Sequence, residues 1–66
     1  MYTIHKEDFE NYEAEALLAS NGNGLKLLMF TYPCESFIKY KVYCSEKRLY
    51  LGSNFDAAIA AYNKAQ

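Results

Sequence analysis

Histidine, proline and glycine are scarce in this chain and tryptophan is missing: it has one, one, three and none of them. The single His5 rules out any site built on paired histidines. Cys34 and Cys44 lack the close spacing of a zinc-binding pair, and one histidine does not complete four ligands with them. Cys34 with His5 is formally a nucleophile and a base, but no third group is at hand to orient them. Gly22 and Gly24 follow a predicted helix, whereas a phosphate-binding loop follows a strand and opens a helix. The carboxylates cluster on that helix as solvated groups, and acid–base catalysis needs them in a cleft that shifts their pKa values. The expectation is a non-enzymatic protein with no cofactor and no metal.

Long apolar segments are missing as well. No run approaches the roughly 20 residues of a membrane span, and Leu27-Leu28-Met29-Phe30 suits a buried strand instead. The start, Met1 to Asp8, has no basic stretch followed by an apolar one. The chain is therefore expected to remain in the cytoplasm.

What is present is globular: 52% hydrophobic and 23% charged residues in a chain of 66. One domain spanning residues 1–66 follows. A chain of this length buries only about 60% of the surface its unfolded form exposes. Its core is thin, and a partner subunit would supplement it.

Residues 6–20 read as a helix, because Glu, Ala and Leu dominate and Phe9, Tyr12, Ala16 and Ala19 share a stripe. Asn21-Gly22-Asn23-Gly24 reads as its stop. Residues 25–32 read as a central strand ended by Pro33. Residues 36–44 alternate, with Ile38, Tyr40, Val42 and Cys44 on one face and Phe37, Lys39, Lys41 and Tyr43 on the other. After the turn Ser45-Glu46, residues 47–51 form a third strand, with Leu49 and Leu51 inward and Arg48 and Tyr50 outward. Ser53 caps a last helix whose stripe is Phe55, Ala58, Ile59 and Tyr62. The predicted class is α+β: α-β-β-β-α, a three-stranded antiparallel meander packed against two helices.

Two cysteines invite a disulfide. Cys34 and Cys44 bracket a predicted strand whose ends lie roughly 30 Å apart, against the roughly 7 Å a disulfide tolerates between Cα atoms. Both are expected to stay reduced. The net charge of −1 divides unevenly: residues 1–24 carry −4 and residues 25–66 carry +3. That asymmetry points either to an electrostatic partner or to an acidic helix lying near its own basic sheet.

The conspicuous surplus is tyrosine, seven residues of 66. Tyr12, Tyr40 and Tyr62 are assigned to the core. Tyr43 and Tyr50 are expected to point outward beside Phe37, Lys39, Lys41 and Arg48. Such a face has three readings. It could be the ordinary solvent side of an antiparallel sheet. It could be a protein interface or homodimer surface, where Tyr is enriched. It could be a single-stranded nucleic-acid platform, where aromatics stack on bases between cations. The net negative charge makes nucleic acid the weaker choice. A protein partner through Phe37, Lys39, Lys41, Tyr43, Arg48 and Tyr50 is the expectation.

In format the chain resembles the very small accessory proteins of phages and mobile elements: minimal size, an acidic helix, a small sheet and no catalytic constellation. That resemblance implies binding and inhibition of a host complex, such as a defence or restriction enzyme. It is carried by no motif and assigns no residue.

Overall fold

The computed structural model describes residues 3–66; Met1 and Tyr2, which begin the segment read for a signal peptide, lie outside the described residues. A 3-10 turn (Lys6–Phe9) precedes four strands, β1 (Ala14–Ser20), β2 (Leu25–Tyr32), β3 (Phe37–Cys44) and β4 (Lys47–Gly52), and one helix, α1 (Phe55–Ala65). The strands form one antiparallel sheet in the order β1-β2-β3-β4. Among the described residues, no helix is long and apolar enough to cross a membrane.

The α+β class holds, but with four strands and one helix in place of three strands and two helices. The difference lies in residues 6–20. Ala-Glu-Ala-Leu-Leu-Ala favours a helix by intrinsic propensity, worth only tenths of a kcal/mol per residue. Helix formation also needs an apolar stripe with something to cover it. Pairing with β2 along β1 supplies more, from Ala14 opposite Thr31 to Ser20 opposite Lys26. The stop read at Asn21-Gly22-Asn23-Gly24 is instead a hairpin turn. The Asn21 side chain accepts from the amides of Asn23 (2.8 Å) and Leu25 (3.2 Å), and Gly22 and Gly24 take φ of 79° and 94°. Asn-Gly between apolar runs is a hairpin signal of its own.

The β2–β3–β4 meander lies where alternation puts it. Leu25, Leu27, Val42, Ala58 and Tyr62 form the buried core, with Tyr40, Cys44, Leu49, Tyr50 and Ile59 packed around them. Tyr62 is buried and Tyr40 half-buried, as assigned, but Tyr12 is 53% exposed because its segment is not a helix lying on the sheet. Asn54, one residue beyond Ser53, caps α1 by accepting from the Ala57 amide at 3.1 Å.

Leu49 breaks the alternation of β4. Val42 pairs with Tyr50 and Tyr43 with Arg48, so Leu49 is the extra residue of a β-bulge. The bulge inverts the side-chain order beyond it. Tyr50 turns to the helix side, where its hydroxyl accepts from the Asn54 amide at 3.2 Å and closes over Gly52. A Cβ at Gly52 would stand 2.6 Å from that oxygen. Leu51 turns outward instead and is 45% exposed.

Helix α1 packs on β2, β3 and β4 and makes no contact with β1. Its eleven residues span about 16 Å, against about 26 Å for an eight-residue strand, so it covers one end of one face. Past its start, where Phe55 stacks on Tyr40 at 4.8 Å, Ile38 is 51% exposed. The N-terminal arm crosses the β2–β3 turn, and the Cys34 thiol donates to the carbonyls of Lys6 (3.4 Å) and Phe9 (3.3 Å). Cys34 thus sits in the turn before β3 and Cys44 at that strand's far end, both free.

Candidate functional site: the helix-free face of the sheet

Side-chain alternation and strand register decide what the second face carries. Three rows cross it. Leu17, Leu28, Lys41 and Leu51 stand side by side from β1 to β4. On one side lies the row Glu15, Phe30 and Lys39, with Tyr32 and Phe37 beyond it. On the other lies Ser20, Lys26, Tyr43 and Arg48. The face is thus a leucine row between two mixed rows of aromatics and cations.

Phe30 sits at its centre. No helix covers it, yet it is only 6% exposed. Its cover is local: the Lys41 ammonium lies 4.8 Å from the ring centroid, and Tyr32 meets it edge-on at 6.0 Å. A long cationic side chain shields apolar surface with its stem while its charge stays outside, and the ammonium gains from the ring face. Lys39 lies over Phe37 in the same way, at 5.0 Å, and Phe37 in turn meets Tyr32 at 5.4 Å.

Lys41 reaches back across Phe30 to β1. It pairs with Glu13 at 3.4 Å and more closely with Glu15. Glu13 also accepts from the Tyr32 hydroxyl at 3.1 Å. The hydrogen bond to Glu15 raises the pKa of Lys41 against a smaller opposing effect of burial. The same bond lowers that of Glu15. Tyr32 is raised chiefly because its hydroxyl donates to Glu13, a hydrogen bond that only the protonated form makes. The charge asymmetry between the halves of the chain is therefore partly an internal pairing: the acidic segment is a strand two places away from the lysine it neutralises.

Five of the six residues singled out from sequence, Phe37, Lys39, Lys41, Tyr43 and Arg48, share this face. Tyr50 does not: the bulge at Leu49 sends it to the helix side, into the core and the corner before α1. Lys41 is on the face but committed to Glu13 and Glu15. Sequence reasoning missed Leu17, Leu28 and Leu51. The signal for Leu17 was the alternation Glu13-Ala14-Glu15-Ala16, a strand pattern that puts Leu17 on the face of the two glutamates and was outvoted by helix-forming composition. Leu51 had no local signal, since a bulge is not encoded in alternation.

Among the described residues, no three of His, Cys, Asp and Glu gather as a metal-ligand set. No family model, no curated protein and no solved structure matches this chain.

Proposed function

We propose that this protein is a non-enzymatic protein-binding module that works through the helix-free face of its sheet. One observation carries the reading: a four-stranded face with no helix over it presents Leu17, Phe37, Tyr43 and Leu51, with Leu17 57% exposed. Its Phe37, Tyr43 and Arg48 are of the residue types enriched at protein interfaces, where Tyr and Arg carry much of the energy.

The single-stranded nucleic-acid reading draws on the same face and is weaker. Its central cation, Lys41, is held by Glu13 and Glu15, two carboxylates that would oppose a phosphate backbone within a Debye length of about 8 Å. The remaining cations are Lys26, Lys39 and Arg48, few for a surface whose affinity comes from neutralised phosphates. The likeness in format to phage accessory proteins puts a host complex among the protein partners to be tested.

A photo-crosslinking residue at Tyr43, introduced in the source cells, tests the proposal. It should capture protein, while the same residue at Asn63, on the outer side of α1, should not. Capture of nucleic acid at Tyr43, with tight oligonucleotide binding that falls steeply with salt, would decide for the alternative.

A further inference from the structure

We propose that Asn23, in the β1–β2 turn, is a self-modification site: the Gly24 backbone nitrogen attacks its side-chain amide, and the amide becomes a carboxylate with water as the only co-reactant. This inference is independent of what the sheet binds.

Asparagine before glycine is prone to this cyclisation, because glycine has no Cβ to hinder its nitrogen and its backbone turns freely. The turn holds the pair twice, as Asn21-Gly22 and Asn23-Gly24. The two pairs look equivalent in the sequence, and hydrogen bonding separates them. At the first pair both reacting groups are engaged. The Asn21 side chain accepts from the amides of Asn23 at 2.8 Å and Leu25 at 3.2 Å, and the Gly22 amide donates to the Ser20 hydroxyl at 3.3 Å. Cyclisation there must swing Asn21 out of both bonds and undo the turn. At the second pair both groups are free among the described residues. The Asn23 side chain is exposed with no hydrogen bond inside the chain, and the Gly24 amide donates to nothing.

The step balances without an oxidant or a cofactor. A base takes the Gly24 amide proton, and the nitrogen bonds to Cγ of Asn23. The Cγ–Nδ2 bond breaks, and Nδ2 leaves as ammonia. Water then opens the cyclic imide at one of its carbonyls. Opening at Cγ leaves aspartate. Opening at the backbone carbonyl leaves isoaspartate, which routes the chain through Cβ and Cγ and lengthens it by one carbon. Either product adds one negative charge to a chain whose net charge is −1.

Isoaspartate alone has a structural consequence. The Gly24 carbonyl receives the Ser45 amide at 2.8 Å, and Gly24 lies so close to Ser45 that a Cβ would not fit. One more backbone carbon just before Gly24 displaces that carbonyl and unties the β1–β2 turn from the β3–β4 turn.

Ageing the folded protein in mildly alkaline buffer, with peptide mass spectrometry to locate the change, tests the proposal. Asn23 should convert about tenfold faster than Asn21, the factor to which about 1.4 kcal/mol of lost hydrogen bonding converts. In urea, where the turn is open, the two rates should come together. Asn23→Gln should abolish the fast conversion. Hydrogen exchange at the Ser45 amide should speed up in the purified isoaspartyl chain but not in Asn23→Asp, which carries the same charge on an ordinary backbone.

Equal rates in the folded chain, or faster loss at Asn21, would overturn the assignment. So would an Asn23 that converts in urea but not in the folded protein. Unchanged exchange at Ser45 in the isoaspartyl chain would overturn the proposed loosening of the turns.

Discussion

The two halves of the sheet are held in different ways. In β2, β3 and β4 each strand has a neighbour or a helix over it, and Leu25, Leu27 and Val42 lose nearly all contact with solvent beneath Ala58 and Tyr62. Strand β1 has one neighbour, β2, and no contact with α1. Of its seven residues only Ala14 and Ala19 are half-buried, and the other five are exposed. It also carries a bulge, with Leu18 as the extra residue between the Leu17 and Ala19 pairings. The covered strands are held by burial, which is non-directional and large. The edge strand is held by ladder hydrogen bonds, by the Asn21 turn and by the Lys41 ion pairs, each individually modest. A sheet of this size thus has a rigid body and a lightly attached rim.

Truncation of the core gives the largest contrast. Leu25→Ala should cost about 2–5 kcal/mol, a large part of the roughly 3–10 kcal/mol expected for a 66-residue domain. Leu17→Ala on β1 should cost under about 0.5 kcal/mol in the monomer, as exposed substitutions do. Urea denaturation at monomeric concentrations measures both. Comparable losses at the two sites would show that β1 is as deeply engaged as the core.

The two glycines of the β1–β2 turn sharpen the same contrast at one hinge. Both hold positive φ, but a Cβ at Gly24 would lie 2.7 Å from the Ser45 hydroxyl and 3.3 Å from its amide nitrogen, whereas Gly22 has nothing within 4 Å. Gly24 also receives the Ser45 amide on its carbonyl at 2.8 Å, which ties this turn to the β3–β4 turn. Gly22→Ala should cost about 1 kcal/mol for its backbone alone, and Gly24→Ala up to about 3 kcal/mol. Equal thermal shifts for the two would remove the steric part of this account.

The attachment of β1 should also depend on pH. The Glu15 carboxyl is lowered in the folded chain, so its contribution is present above the ordinary carboxylate value of 4.5 and is lost as pH falls through the lower folded value. Lys41 is raised above its ordinary 10.5, so its contribution is present below that value and is lost as pH rises through the higher folded one. Lys41 is half-buried and Glu15 exposed, so solvent screens the pair in part and each arm is worth about 0–1 kcal/mol. Lys41→Met should flatten both arms of a stability profile, and hydrogen exchange should place the lost protection in β1. An acid arm unchanged in Lys41→Met would assign it to other carboxylates.

Smallest of all should be the effect of reductant. Cys34 and Cys44 stand at opposite ends of β3, beyond the reach of a disulfide. The melting temperature of the oxidised and reduced protein should agree. A clear drop on reduction would mean that the β2–β3 end of the sheet folds differently.

Legibility in the sequence followed the same division. Alternation in residues 36–44 sorted Val42 from Tyr43 correctly, because a strand inside a meander obeys period two without interruption. The stripe Phe55, Ala58, Ile59 and Tyr62 lies within α1, whose cap stands one residue from the Ser53 expected. Residues 6–20 misled because propensity is a local quantity, and an edge strand answers to its neighbour. Tyr50 misled because one inserted residue, Leu49, reverses every side chain after it, and a bulge is settled by how β4 fits Val42 and Gly52.

By itself the sequence determined the α+β class, the meander from Leu25 to Gly52, the closing helix and the gathering of aromatics and cations on one side of β3. Period-two and period-3.6 patterns encode those features within a few residues of themselves. Tertiary structure alone decided that the acidic segment would be a fourth strand, that Glu13 and Glu15 would neutralise Lys41, and that Leu51 would replace Tyr50 on the helix-free face. Each of these depends on contacts between residues far apart in the chain, where pairing with β2 and packing beneath α1 outweigh the few tenths of a kcal/mol by which a residue prefers one backbone conformation to another.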